Sequence, residues 1–178
     1  MNVRETPLQG VVTIEPQVHG DARGFFLETY REDRYREWLG DDLRLVQHNH
    51  SRSEHGVLRG LHCQTRRPQG KLVRCLAGEI FDVVADINPE SVTFGQWVGV
   101  VISAANHVMI WVPPGYVHGF QVLSSSADVE YKCSDYYDPG YESGLIWNDP
   151  EVAIDWPLAQ PTLSAKDREL PGLDHYRR

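Results

Sequence analysis

Gly56-Val57-Leu58-Arg59-Gly60-Leu61-His62-Cys63-Gln64 and Pro113-Pro114-Gly115-Tyr116-Val117-His118-Gly119-Phe120 decide the fold of this sequence. Each is a short apolar run opened by turn residues, and each carries one histidine. Repeated short runs of this kind indicate an all-β sandwich or barrel. Working outward, candidate strands fall at 10–15, 24–29, 43–51, 57–64, 71–77, 79–87, 97–102, 108–112, 119–123 and 127–133. Gly78 between two apolar runs marks a tight hairpin. Asn88-Pro89-Glu90-Ser91 is a turn, because Pro cannot continue a central strand. One helix is predicted over 32–39, with Tyr35, Trp38 and Leu39 on one face and Gly40 as its stop. After Tyr137 the chain turns rich in Asp, Pro and Gly, with Trp147 and Trp156 as anchors onto the barrel. The expectation is one domain, 1–178, with a few short peripheral helices.

The spacing of the two quoted stretches resembles that of the cupins, jelly-roll barrels that usually hold a metal. That pattern calls for His-x-His, a carboxylate a few residues later, and Pro-x-Gly-x-x-His. Here Gln64 stands at the second ligand position, and the acidic position falls among Arg67, Pro68, Gln69 and Gly70. A divalent site needs three or more His or carboxylate ligands, and only His62 and His118 remain. No metal and no other cofactor is expected.

The composition fits a globular protein: 41% hydrophobic, 24% charged, net charge −8. Such a balance argues against a general nucleic-acid binder. Cys63, Cys75 and Cys133 form neither a disulfide framework nor a zinc pattern. No stretch approaches eighteen apolar residues, so no membrane span is expected, and the N-terminal residues lack the apolar run of a signal peptide. A reduced, cytoplasmic location follows as an expectation.

Strand alternation places His62 and Gln64 on one face and Leu61 and Cys63 on the other. A histidine inside a barrel is ordinarily a hydrogen-bonded core residue. His62, however, lies near Arg59, Gln64, Gln69 and Lys71, a polar density a dry core does not tolerate. Its unperturbed pKa near neutrality suits a general base. Lys71 and Val73 share a face, and an inward lysine marks a place where negative charge is present or develops. Val129, Tyr131 and Cys133 share the inward face of their strand, where a phenol can donate a proton. Arg23 beside Phe25 can hold a phosphate and stack a base. Gln47, Asn49 and Ser51 read as a hydrogen-bonding wall. His19, His48, His50, His55, His107 and His175 read as structural or surface residues.

The ordered series Arg23-Gly24-Phe25-Phe26-x-Glu28, Gln47-x-Asn49-x-Ser51, Gly56 to Gln64, Gln69-Gly70-Lys71-Leu72-Val73-Arg74, Pro114-Gly115-x-x-His118-Gly119-Phe120, Tyr131-Lys132, Trp147-Asn148-Asp149-Pro150 and Ser164-x-Lys166-Asp167 closely resembles the dTDP-4-dehydrorhamnose 3,5-epimerases. The match runs from about Gln9 to Leu173. It implies a metal-free cupin jelly roll, a homodimer, and a dTDP-4-keto-6-deoxyhexose substrate. By this resemblance His62 is the base, Asp167 its carboxylate partner, Tyr131 the acid on the opposite face, and Lys71 the stabiliser of the enolate oxygen. The resemblance also assigns Arg23, Phe25, Glu28, Gln47, Asn49, Arg59, His118, Glu142 and Lys166 to substrate binding. Alternation puts Arg59 on the face opposite His62, so a bulge or strand end is needed to reconcile the two. Cys63 replaces an aromatic common among relatives, and alternation points it away from His62.

Three further readings stay open at this point. A relative inverting only C3 or only C5 would carry the same residues. A metal-dependent cupin oxygenase would need the ligands missing at Gln64 and near Pro68. A non-catalytic sugar-nucleotide binding module would keep Arg23 and Arg59 without needing His62, Tyr131 and Lys71.

Overall fold

The computed structural model describes residues 1–40 and 44–177. Its elements run β1 (Asn2–Glu5), β2 (Val12–Glu15), β3 (Val18–Asp21), β4 (Gly24–Leu27), α1 (Glu32–Leu39), β5 (Gln47–Glu54), β6 (Leu58–Gln64), β7 (Lys71–Ala77), β8 (Glu79–Ala85) and β9 (Trp97–Ser103). They continue β10 (Met109–Val112), β11 (Val117–Val122), β12 (Ser126–Cys133), β13 (Glu142–Gly144) and α2 (Ala165–Arg168). A six-stranded sheet, β1-β2-β10-β7-β12-β5, faces a five-stranded sheet, β13-β6-β11-β8-β9, and β3-β4 forms a separate hairpin. This is the β-sandwich the sequence implies, with antiparallel pairing throughout both sheets.

Alternation along each strand sorts the apolar residues into three layers. On β7 and β10, Val73, Cys75, Ile110 and Val112 point between the sheets, where they meet Ile80, Val84, Phe120 and Val122. Leu72, Met109 and Trp111 point the other way, against Tyr35 and Leu39 of α1. On the outer face of the five-stranded sheet, Leu61, Val83, Ala85 and Val117 are covered by Leu145, Val152, Trp156 and Leu173. Each fully buried Val, Leu, Ile or Phe contributes roughly 1.5–3 kcal/mol, so these layers hold the two sheets together and fix where their polar end lies.

The expected helix coincides with α1. Gly40 ends it at φ +100°, and its N–H donates to the Arg36 carbonyl at 2.9 Å. The strands at 71–77, 79–87, 97–102, 108–112 and 119–123 are found with ends moved by two residues at most. The expected start at Leu43 lies outside the described residues, and β5 itself runs on to Glu54. The sequence reading lacks β1, β3, β13 and α2. β3 is exposed at every position, and β13 is only three residues long, so neither carries a burial pattern. Among the described residues, no helix is long and apolar enough to cross a membrane.

Candidate active site

At one end of the sandwich the apolar layer between the sheets gives way to polar side chains around a cavity of about 610 Å³, a size that suits a small-molecule ligand. Both sheets build it. β5 brings Gln47 and Asn49, β7 brings Lys71 and β12 brings Tyr131, while the facing sheet supplies Arg59, His62, His118 and Glu142. α2 closes one wall with Lys166 and Asp167.

Arg59 and His62 line the same cavity despite their odd spacing, and a bulge is the reason. His118 pairs with His62 and Phe120 with Arg59, so two steps on β11 span three on β6. The strands approach so closely there that a Cβ on Gly60 would lie 2.6 Å from the Cα of Gly119. A Cβ on Gly119 would lie 2.6 Å from the carbonyl oxygen of Arg59. Gly60 also sits at φ +127°, a conformation glycine adopts freely. Arg59 is steadied at 2.9 Å from the Ser53 hydroxyl.

His62 Nε2 lies 2.5 Å from Asp167 Oδ1, across 105 residues of sequence. Asp167 is buried and sits in the first turn of α2, where the Ser164 hydroxyl caps the helix by accepting the Asp167 N–H at 3.1 Å. Burial alone would raise the Asp167 pKa. The hydrogen bond and charge of His62, with the Ser164 contacts, outweigh it and hold the carboxyl below its usual range. A carboxylate accepts only, so it draws the proton of His62 to Nε2 and leaves Nδ1 as the basic atom.

Lys71 makes a long contact from Nζ to the His62 carbonyl at 3.4 Å, and among the described residues no carboxylate lies within ion-pair distance of it. Burial pushes its pKa down, against weaker pulls from Cys133, Cys63, Asp82 and Glu142. An ammonium in this setting favours any anionic oxygen that forms beside it. Tyr131 is a half-buried phenol whose pKa burial raises, with Cys133 adding to the shift and Arg59 opposing it. It therefore stays protonated near neutrality and can donate.

Glu142 accepts from both Tyr137 and Lys166. Its burial is outweighed by these hydrogen bonds and by the nearby His62, so its carboxyl lies below the usual range. Gln47 donates to Asn49 at 3.0 Å, and Asn49 reaches Cys133 Sγ at 3.6 Å, so two residues of the expected wall on β5 line the cavity, while Ser51 does not.

Other expected positions fall elsewhere. Arg23, Phe25 and Glu28 do not line this cavity. Arg23 pairs with Asp21 at 2.5 Å on the exposed hairpin, Phe25 is 64% exposed, and Glu28 accepts from Arg34 at 3.0 Å. The hairpin β3-β4 is a sheet of its own, which carries these side chains off the sandwich. Gln64, expected on the His62 face, instead accepts the Asp138 N–H at 2.6 Å and donates to the Arg67 and Tyr136 carbonyls. The turn before β13 covers that end of β6 and takes up its amide. Cys63 packs against the outer cluster that contains Leu61, as alternation expects, and also borders the cavity beside His62, with its thiol pushed up to about 11 by burial. His48 and His50, read as structural or surface residues, are exposed as read and also border the cavity.

Sequence reasoning missed Tyr137 and Asp82. Tyr137 stands in a turn-rich segment without periodicity. Asp82 has a legible sign: a carboxylate between Ile80 and Val84 on the inward face of an apolar strand. It is fully buried, and both its oxygens accept from His118 Nε2, at 3.0 and 2.9 Å. Among the described residues, no group of three or more His, Cys, Asp or Glu is arranged to hold a metal ion.

A family model described as dTDP-4-dehydrorhamnose 3,5-epimerase matches residues 5–175. The chain belongs to this family. Its members are isomerase-class enzymes, and the fold agrees with theirs. The dTDP-4-dehydrorhamnose 3,5-epimerase of Salmonella typhimurium is 50% identical over 176 residues, covering 98% of this chain and 96% of that protein. A crystal structure of the Legionella pneumophila dTDP-6-deoxy-D-glucose-3,5-epimerase in complex with dTDP-4-keto-L-rhamnose is 52% identical, with TM-score 0.94, covering 97% of this chain and 93% of the other. A 3′-monoepimerase from Streptomyces bikiniensis in complex with dTDP-quinovose is more distant in sequence: 33% identical, with TM-score 0.90, covering 95% and 86%.

Proposed function

We propose that this epimerase-family chain inverts C3 and C5 of dTDP-4-dehydro-6-deoxy-D-glucose to give dTDP-4-dehydro-L-rhamnose, by metal-free proton transfer through an enolate. The observation that carries the chemistry is the His62–Asp167 pair facing a cavity that also holds Tyr131 and Lys71. The 4-ketone of such a sugar acidifies the hydrogens on C3 and C5. His62 Nδ1 removes one of them, and Asp167 stabilises the imidazolium that results. The electron pair moves onto the C4 oxygen, where Lys71 meets the charge. Tyr131 returns a proton to the opposite face, and the centre is inverted.

Arg59 contacts the diphosphate, with Gln47, Asn49 and Glu142 along the nucleoside and sugar, Lys166 as a further binding position and His118 at the sugar. Arg23, Phe25 and Glu28 lie away from this cavity, so a substrate contact from them comes from a second copy of the chain. The homodimer rests on that reasoning. The chain acts as one domain, 1–178, and its three free cysteines suit a reduced cytoplasm.

The test is proton NMR of dTDP-4-keto-6-deoxyglucose with the protein in heavy water. Loss of signal at both C3 and C5, with the L-sugar as product, is the expected result. Exchange at one carbon only would replace this reading with a single-centre epimerase on a related dTDP-4-keto-6-deoxysugar, the activity class of the Streptomyces bikiniensis neighbour. No exchange at either carbon would sink both.

A further inference from the structure

We propose that Asp82 is a positioning residue: it locks the His118 ring in one orientation and one tautomer, so that Nδ1 is the atom His118 offers to the sugar. This deepens, and rests on, the epimerase reading of the cavity. Asp82 is 0% exposed, in a strand whose neighbours on the same face, Ile80 and Val84, are core residues. A carboxylate at such a position is costly unless paired, and an aliphatic side chain would serve packing better. Its partner is His118, itself 6% exposed, whose Nε2 lies within hydrogen-bond distance of both carboxylate oxygens.

The direction of this bond follows from donor inventory. A carboxylate has only acceptors, so the imidazole must carry its proton on Nε2. Among the described residues His118 Nδ1 has no hydrogen-bond partner, and the ring lines the cavity. The register sharpens the assignment: His118 pairs across the strands with His62, and Phe120 with Asp82. Two imidazoles thus stand side by side on adjacent strands, each backed by its own carboxylate from a different element, α2 for one and β8 for the other. Supporting carboxylates of this kind set which ring nitrogen faces a ligand.

The deciding measurement begins with the wild-type protein, using ¹⁵N-histidine NMR to locate the His118 proton. A proton on Nε2 is expected, and a neutral ring protonated only at Nδ1 would overturn the proposal without any variant being made. Asp82→Asn then keeps the shape but lets the side chain donate as well as accept. It should mix or reverse the His118 tautomer and lower kcat about 10–100-fold, with KM and dTDP affinity within about threefold of wild type. Combined with His118→Gln, it should add little to the loss from His118→Gln alone. A folded Asp82→Asn variant turning over within twofold of wild type would refute the assignment, as would fully additive losses. Should the wild type leave C3 and C5 unexchanged, the epimerase reading fails, while the tautomer measurement still decides how Asp82 holds His118.

Discussion

Replacing Asp167 by Asn isolates the pairing on which the proposed role of His62 as a base depends. The two groups meet at 2.5 Å, with Asp167 buried and the cap from Ser164 in place to hold the substitute in position. Asn has nearly the same shape, so packing is retained, but its amide can donate to Nε2 and move the imidazole proton to Nδ1, the atom that must be free. It also removes the charge that stabilises the imidazolium. Proton transfer by a positioned side chain is worth roughly 10²–10⁴-fold, or about 3–5 kcal/mol of barrier. A kcat loss within that range is expected, measured as the rate of C3 and C5 exchange, with dTDP affinity by calorimetry unchanged. Stability carries a second signature. The Asp167 carboxyl is held below its usual pKa, so it stabilises the fold above about pH 4 and ceases to as pH falls through its lowered value. The gap in melting temperature between wild type and Asp167→Asn should therefore be present at neutral pH and close in acid. A variant with kcat within threefold of wild type, or a loss confined to KM, would refute the role given to the pair.

His62→Ala should abolish exchange at both carbons while dTDP still binds, since the base faces the sugar; residual turnover above a hundredth of wild type would count against it. Tyr131→Phe should slow product formation about 10²–10⁴-fold, and a wild-type rate of inversion would remove it as the acid. Lys71→Met should cost about 10²–10³ in kcat, as loss of an oxyanion-stabilising group does, yet hold or raise the melting temperature. Burial already disfavours the Lys71 ammonium, so that stability gain should be fullest at pH below its lowered pKa and fade as pH rises from there toward 10.5; a melting temperature well below wild type would contradict the account. Arg23→Ala should weaken dTDP binding although Arg23 lies outside the cavity, and unchanged affinity would remove the second copy from the site.

How far the sequence reveals this molecule depends on where alternation holds. β7 is found as read because Leu72 packs outward against α1 while Lys71, Val73 and Cys75 face in, so every residue reports its side. The same rule fails at Arg59 and His62, since one extra residue in β6 reverses the phase between them. A bulge leaves no mark in composition beyond glycines that also serve as turns. For Arg23 and Phe25 the limit is different: a strand pattern does not say which sheet, or which copy of the chain, a hairpin joins.

Long-range pairing is the other limit. Nothing local ties His62 to Asp167, 105 residues away; only the resemblance named that partner. For His118 the resemblance named no partner, yet the clue lay in the chain, as an aspartate in the apolar phase of β8. An acceptor that the packing alone would reject requires a donor, and on that face of the sandwich the donor is a histidine already placed in the cavity. The two positions that hold a metal in a cupin are thus each answered by a carboxylate. Each carboxylate takes up Nε2, and in each case Nδ1 is the nitrogen left for a ligand.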